Sequence, residues 1–587
     1  MLGLGTSSVR LKMVLVLLLV VFGTVLFKVA KIQSAGGEAL RSAGAAQWSR
    51  TTPLAADRGT IFDRNGEELA LSVPAYSISV NPKLVTDSAG TARLMQSFLG
   101  LTDGETRDLY DDLLAKDRGF VYVRRQVPLE VGEQIAHLHL VGVNVDEEDH
   151  RILPGGTVGL SVIGRTDIDG IGIAGLEKQY DEPLTGTPGE MSKEVAPKNR
   201  SIPGTERTTV VPAPGDDVVL TIDRSIQFAA ENALVARVTE LGAKSGTIIV
   251  MDTRSGDVYA MASVVSDEKD GVVEVTSANL AAVNAYEPGS VAKVITIAAG
   301  LNQGSVTANS TFVVPWRRQY ADDLLKDSHE HPDEEMSVER ILIESSNIGT
   351  IDVQESLDER WDNARQIHWE YMHNFGLGEK TALDFPGEST GILKHWSDLW
   401  GSERVTVAYG QGLASTSIQL AAAVNTIAND GTYVAPRLVL GTVGPDGEII
   451  PAAAAETREV LRPDVAEEVQ RLMRAVVCDP HGTGKRAQYG IKNFSVAGKT
   501  GTGLKAQPNG TYFNEDGDPV YYASFVGFFP AEDPQITVLV SIDEPPAGDI
   551  NRFGGTAAAP VFADLAPTIV QELGVQPPPD SASCPAV

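Results

Sequence analysis

Cysteine is nearly absent from this 587-residue chain: Cys478 and Cys584 are the only two. Two thiols cannot build a zinc ribbon, an iron–sulfur cluster or a disulfide-framework fold. They leave open either one disulfide, pinning the C-terminal tail near the Gly482-Thr483-Gly484 loop, or none. Basic charge is scarce too, with 48 Lys plus Arg against 78 Asp plus Glu, a net charge of −30. So acidic a surface repels phosphate backbones, which argues against nucleic acid as a partner. Long hydrophobic runs are confined to one place, so a polytopic membrane protein is not expected. No internal repeat is visible. What remains is ordinary globular usage, 42% hydrophobic and 21% charged, and a length that accommodates two to four domains at about 150 residues each.

The one long apolar run is Met13 to Phe27, MVLVLLLVVFGTVLF, with Arg10 and Lys12 before it and Lys28 and Lys31 after it. It is short for a span, but Lys28 can snorkel and let Val29 and Ala30 contribute. A cleaved signal peptide is the alternative, with Ser34-Ala35-Gly36 as a passable site. The two lysines between the run and that site argue against cleavage. We therefore expect a cytoplasmic tail at 1–12, a transmembrane anchor at 13–31 and a small-residue stalk at 32–50. Almost all of the chain follows the anchor and is expected on the outer side of the cell membrane.

Residues 51–215 are Gly-rich and charged, with short alternating runs such as Tyr76-Ser77-Ile78-Ser79-Val80 that suit strands. Pro212-Ala213-Pro214-Gly215-Asp216 is a break. Beyond it, strand-like and helix-like segments alternate from Val218 to about Leu573, which predicts an α/β or α+β domain over 216–574. Residues 575–587, VQPPPDSASCPAV, have nothing to bury and read as a disordered tail.

The chemistry concentrates in three short motifs. In Tyr286 to Leu301, YEPGSVAKVITIAAGL, Pro288 and Gly289 suit a helix start and place Ser290 near its N-terminus. The helix is apolar all round, hence buried, and Lys293 is its only charge. Lys293 lies three residues from Ser290, on the same face. Burial disfavours its ammonium, and a neutral amine beside a hydroxyl is an activated nucleophile pair. A bare S-x-x-K is common by chance. Here, however, Ser345-Ser346-Asn347 follows a helix-like stretch, and Lys499-Thr500-Gly501-Thr502 sits on a strand with two more strands after it. S-x-x-K, S-x-N and K-T-G in that order form the site of serine enzymes that bind penicillin.

On these residues the chain resembles a class B penicillin-binding protein, a peptidoglycan D,D-transpeptidase. Arg58-Gly59-Thr60-Ile61-Phe62-Asp63-Arg64-Asn65-Gly66 resembles the family's first N-terminal motif. Gly172-Ile173-Ala174-Gly175-Leu176-Glu177-Lys178-Gln179-Tyr180, with Leu184, Gly186 and Gly189, resembles its second. Leu220-Thr221-Ile222-Asp223 with Ile226-Gln227 resembles the start of the transpeptidase domain. Tyr371-Met372 through Asp384-Phe385-Pro386-Gly387-Glu388, and Tyr409-Gly410-Gln411-Gly412, are most similar to the division-specific, septal subgroup, although elongation-specific relatives share most of these patterns. The resemblance implies a penicillin-recognising fold, an antiparallel sheet flanked by helices. An elongated, mostly-β, non-catalytic, dimerisation-like pedestal at 51–215 would precede it.

It also implies the roles. Ser290 is the acylated nucleophile, Lys293 its base, Ser345 a proton relay and Asn347 a ligand of the substrate amide. Lys499, Thr500 and Thr502 would hold the substrate carboxylate, and Gly501 would keep the strand bare so that substrate can lie alongside it. The oxyanion hole would be the backbone N–H groups of Ser290 and Thr502. No cofactor and no metal are needed. The expected partners are stem peptides ending in D-Ala-D-Ala, β-lactams, the membrane, a polytopic glycan polymerase and other division proteins. The middle motif is S-S-N rather than S-D-N, and Gly503 stands where Ala is common, with little consequence expected. The acidic pair Glu148-Asp149 lacks the context of a glycan polymerase. A D,D-carboxypeptidase or β-lactamase would share the three motifs, but pedestal and anchor weigh against both. A β-lactam sensor or a division scaffold is the non-enzyme alternative; a sensor would need more spans, and a scaffold would not need Lys293.

Other ligand-type residues read more plainly. His329-Glu330-His331-Pro332-Asp333 is expected to be a solvated loop rather than a metal site, because no second cluster completes the coordination. His368 and His373, beside Trp369 and Tyr371, are expected to pack. Asp322, Asp323, Asp327 and Glu330 are expected to be solvated surface.

Overall fold

The computed structural model describes residues 7–35, 48–196, 200–202, 204, 205, 207–267, 269–489, 491, 493–507, 510–546, 548, 550–578 and 584. Two compact units emerge: Met1–Asp57 with Gly186–Pro214, and Arg58–Thr185 with Gly215–Val587. Most of the expected stalk (36–47) and of the expected tail (579–583 and 585–587) lies outside the described residues, as do residues 1–6.

In the first unit the apolar run is part of a longer helix, α1, Ser7–Ala35. It is long and apolar enough to cross a membrane. The same unit holds a small sheet. Strand Gly189–Ala196 pairs antiparallel with Ser49–Leu54, Arg207–Val210 and Arg200–Ser201.

In the second unit, strand Glu68–Val80 pairs antiparallel with both Val121–Pro128 and Val143–Ile152. Short helices cover this sheet, which the sequence reading did not foresee. Met95, Leu113 and Ile135 from three of them pack on Ile78 and Val80. The two N-terminal motifs meet here through charge. Arg58 pairs with Glu177 at 2.7 Å and Asp181 at 2.8 Å, and Arg151 pairs with Glu177 at 2.7 Å. Ile61, Leu69, Val162 and Leu176 belong to the same buried cluster as Val218, Leu220 and the helix that follows Ser290. Ile61 pairs in parallel with Val218.

The larger part of this unit is built on helix α2 (Arg224–Leu241) and strands β1 (Ser245–Asp252), β2 (Val258–Ser266) and β3 (Val273–Val275). Helices α3 (Lys293–Gln303), α4 (Val338–Glu344), α5 (Asn347–Glu355), α6 (Ser417–Ala428) and α7 (Pro463–Cys478) follow. Strands β4 (Ala497–Leu504), β5 (Tyr521–Phe529) and β6 (Ile536–Asp543) and helix α8 (Ala559–Leu573) complete it. The six strands form one antiparallel sheet in the order β3-β2-β1-β6-β5-β4. Both faces are covered, so the strands read as continuous apolar runs rather than alternations. Ile248 and Val250 of β1 face a cluster with Leu234 of α2 and Phe562 of α8. Their neighbours Ile249 and Met251 face the opposite cluster, with Leu420 of α6 and Val294 of α3. Cys478, at the end of α7, is disulfide-bonded to Cys584, which settles the alternative that the sequence left open.

Candidate active site

The three motifs arrive at one place by three different local devices. Gly289 takes a positive φ of 52° and leads into a single tight turn, Gly289–Val291, ahead of α3. The α-helix itself therefore begins at Lys293, three residues after Ser290. Gly289 is also held by close backbone contacts. A Cβ on it would stand 2.7 Å from the Thr502 carbonyl oxygen, and a Cβ on Gly410 would stand 2.1 Å from the Gly289 carbonyl oxygen. Those contacts bind the Ser290 turn to β4 and to the Tyr409-Gly410-Gln411-Gly412 segment.

Ser345 ends α4 in the left-handed region, with φ 62°. A serine there is uncommon and carries a local strain of order 1–3 kcal/mol. It swings the hydroxyl out of the helix line. Ser346 then caps α5, its Oγ accepting the Gly349 N–H at 2.9 Å.

β4 is the edge strand of the sheet. Its alternation places Lys499, Gly501 and Gly503 on one side, and Thr500 and Thr502 on the other. Thr500 Oγ1 lies 2.8 Å from Thr483 Oγ1, and Thr502 Oγ1 accepts the Gly554 N–H at 3.3 Å. Gly501 and Gly503 are also required by packing. A Cβ at Gly501 would stand 2.3 Å from Ser524 Oγ and 2.8 Å from the Pro288 carbonyl oxygen. A Cβ at Gly503 would stand 2.2 Å from the Glu287 carbonyl oxygen. The strand is bare because the chain entering the Ser290 turn lies on it. Glycine at 503, where Ala is common in the family, thus fits the close approach of the Glu287 peptide.

The centre of the site is the Ser345 hydroxyl. Lys293 Nζ donates to Ser345 Oγ at 3.1 Å and also to its carbonyl oxygen, while Lys499 Nζ donates to the same Oγ at 3.0 Å. Both lysines are fully buried. Burial pushes the Lys293 ammonium down to about 7, with Asp327 pulling the other way. Burial, and then the charge of Lys293, push Lys499 well below the usual lysine range. Two ammonium groups on one hydroxyl in a dry setting repel strongly, so the two lysines titrate as a coupled pair.

Ser290, Ser345, Asn347, Thr500 and Thr502 all line one cleft of about 600 Å³. The Asn347 side-chain N–H group donates to the Lys326 carbonyl at 2.8 Å. Tyr409, Thr483 and Phe553 also line the cleft; Tyr409 belongs to the Tyr409–Gly412 motif, whereas no sequence pattern assigns Thr483 or Phe553 to the site. Among the described residues no group of three or more His, Cys, Asp or Glu side chains could hold a metal ion. His368 is buried, bonded to Thr296 at 2.9 Å and pushed down to about 3 by burial, so it stays neutral. His373 stacks on Trp369.

One expectation about surface residues fails. Asp322, Asp323 and Glu330 are exposed, but Asp327 is buried. It is drawn inward because the first N–H groups of α5 need an acceptor, and its carboxylate takes those of Asn347 and Ile348.

Comparison with known proteins gives a consistent result. The family model described as penicillin binding protein transpeptidase domain matches residues 246–566. That of the penicillin-binding protein dimerisation domain matches residues 53–220. The chain is 30% identical to penicillin-binding protein PbpB of Mycobacterium tuberculosis, over 97% of this chain and 85% of that one. It is 31% identical to the probable peptidoglycan D,D-transpeptidase PenA of Neisseria meningitidis, over 97% and 94%. Among solved structures, penicillin binding protein 3 of Mycobacterium tuberculosis complexed with aztreonam is similar at a TM-score of 0.66 and 26% identity, over 91% of this chain and 100% of that one.

Proposed function

The chain belongs to the penicillin-binding proteins and is a serine-type peptidoglycan D,D-transpeptidase, and from that premise we propose that Ser290 is its acylated nucleophile and Lys293 the base that activates it. The observation that carries this reading is the placement of Lys293, fully buried on the Ser345 hydroxyl with its ammonium pushed down to about 7. A base poised near neutrality is both available and strong enough to take a proton.

The terminal carboxylate of a D-Ala-D-Ala stem binds at Thr500 and Thr502, near Lys499. Its negative charge holds a proton on Lys499, whose charge favours a neutral Lys293. Ser290 Oγ attacks the carbonyl carbon of the penultimate D-Ala, and its proton passes to Lys293 Nζ. Backbone N–H groups of Ser290 and Thr502 hold the developing oxyanion. Collapse breaks the peptide bond. The leaving amine of the terminal D-Ala takes its proton through Ser345, and an ester remains on Ser290. An amine of a neighbouring stem then attacks the ester, completes the cross-link and frees Ser290. Asn347 orients the acyl chain, and the free edge of β4 accepts the extended substrate. A β-lactam enters the same sequence but leaves a stable ester.

At the scale of the cell, we read residues 51–215 as a non-catalytic platform for other division proteins and α1 as an anchor that holds the long C-terminal part outside the membrane. Cross-linking needs glycan strands made nearby, and a polytopic glycan polymerase that supplies them can contact α1. The site of action is the division septum. A fluorescent fusion spread evenly along the envelope would sink that last statement.

The chemical reading is tested by mass spectrometry after penicillin treatment. The adduct is expected on the peptide containing Ser290 and should vanish in Ser290→Ala. Lys293→Arg keeps the charge but cannot deprotonate near neutral pH. It should lose about 10²–10⁴-fold in acylation rate while melting near the wild-type temperature. An arginine variant that acylates at the wild-type rate ends the assignment of Lys293.

A further inference from the structure

Between the edge of the cleft and the start of α5 sits a buried carboxylate that the three motifs do not include. Asp327 follows the short strand Asp323–Lys326 and is only 6% exposed. One of its oxygens, Oδ1, accepts the backbone N–H groups of Asn347 and Ile348. The other, Oδ2, accepts the Ser346 hydroxyl at 2.7 Å and His331 Nε2 at 3.1 Å. The carbonyl of the preceding residue, Lys326, accepts the Asn347 side chain. The entire Ser346-Asn347-Ile348 turn thus hangs on residues 326 and 327. A negative charge at a helix N-terminus is stabilised by the helix dipole, and the hydrogen bonds to it are charge-assisted.

We propose that Asp327 is a positioning residue of the transpeptidation site, clamping the turn that carries Asn347 and supplying a counter-charge to Lys293. The inference rests on the reading of Lys293 as the base. Two observations separate it from simple capping. Ser346 already caps α5 through Gly349, so the carboxylate is not needed as the only cap. Moreover, its charge acts on Lys293, where it holds the ammonium higher than burial alone would leave it.

The other charged groups around these residues are accounted for. Lys293 faces Lys499. Asp327 faces His331, itself near Glu334 at 3.8 Å. Asp352 feels the repulsion of Asp327 and is ion-paired with Arg318. Tyr409 is pushed up by burial, then by Glu287, Asp323, Asp327 and Tyr320. His331 points Nε2 at Asp327 and Nδ1 at the Pro332 carbonyl, 2.7 Å away. Burial lowers its pKa, but these two acceptors and Glu334 leave it raised overall.

The test is the pH profile of penicillin acylation in the full chain and two substitutions. Asp327→Asn keeps the shape and removes the charge. Without the neighbouring anion Lys293 loses its proton more readily, so the acid limb should move to lower pH by about 0.5–1 unit. Asp327→Glu keeps the charge and displaces it by one methylene. It should leave the limb where it is and lower the acylation rate by about 10-fold or more, as expected for a misplaced reacting group. An Asp327→Asn protein with a cooperative melt and an unmoved acid limb overturns the counter-charge role. An Asp327→Glu protein acylating within twofold of wild type overturns the clamp, and it decides alone if the asparagine variant fails to fold. A wild-type profile without an acid limb would instead remove Lys293 as the base, and the glutamate variant would then decide the clamp by itself.

Discussion

At the scale of single residues, the contacts of Gly503 give it a weight that its neighbours in the motif would not suggest. Its α-carbon lies so close to the Glu287 carbonyl that a methyl group would overlap it. The Glu287 peptide leads directly into the Ser290 turn, so a shift there is passed to the nucleophile. Gly503→Ala is expected to lose about 1–3 kcal/mol of stability through overpacking. Acylation should fall by about 10-fold, because small displacements of a reacting group are costly. Thermal melts and acylation rates of the same protein check both numbers; an alanine variant that matches wild type in both would show that the loop yields freely. Asp327 and Gly503 also mark where reading the sequence stops. Ser290, Lys293, Ser345, Asn347 and Lys499 were legible because their chemistry repeats as local spacing. The burial of Asp327 depends on residues 346–348, some twenty positions later in the chain. The crowding at Gly503 depends on a loop more than 200 positions earlier. No local pattern encodes either contact.

At the scale of elements, the sheet and its helices were legible as alternating segments, but the covering of both faces hid the alternation within strands. The C-terminal tail reads in sequence as disordered chain with nothing to bury, and the sequence leaves the bond from Cys584 to Cys478 open. The bond spans 106 positions and ties the tail to the end of α7, just ahead of the loop holding Thr483. Loop-closure entropy for a span of that length predicts a stabilisation of about 4.7 kcal/mol, and disulfides typically deliver about 2–4 kcal/mol. Cys584→Ser should therefore lower the denaturant midpoint by a corresponding amount. Reducing agent should lower the wild-type midpoint similarly and leave the variant unchanged. Equal midpoints in wild type and variant under oxidising conditions would mean that the bond contributes nothing.

At the scale of the whole molecule, the chain is not a catalytic domain with a detachable support. Ile61, Leu69, Val162 and Leu176 are buried in the same cluster as the residues around Ser290. Each contributes about 1.5–3 kcal/mol when buried, and a folded protein has only about 5–15 kcal/mol in all. A fragment beginning at residue 216 is thus expected to aggregate or to melt well below a protein beginning at residue 48, and to acylate poorly as a result. Side-by-side expression and melting of the two would show it. A fragment that melts within a few degrees of the longer protein would refute the shared-core argument.

The order of strands in the central sheet sets a clock on synthesis. β1 has its neighbour β6 nearly 300 residues further along, with Ser245 opposite Asp543 and Asp252 opposite Ile536. At roughly 5–20 residues per second, the ribosome needs on the order of 15–60 seconds to deliver the second strand after the first. For that interval the β1 edge of the β1–β2 hairpin is open and both of its apolar faces are bare, including Ile248, Ile249 and Val250. Such an edge is a template for joining other chains. A newborn chain therefore has to be kept from its neighbours until its last hundred residues exist, and the Ser290 cleft, whose wall is β4, cannot close on a penicillin before then.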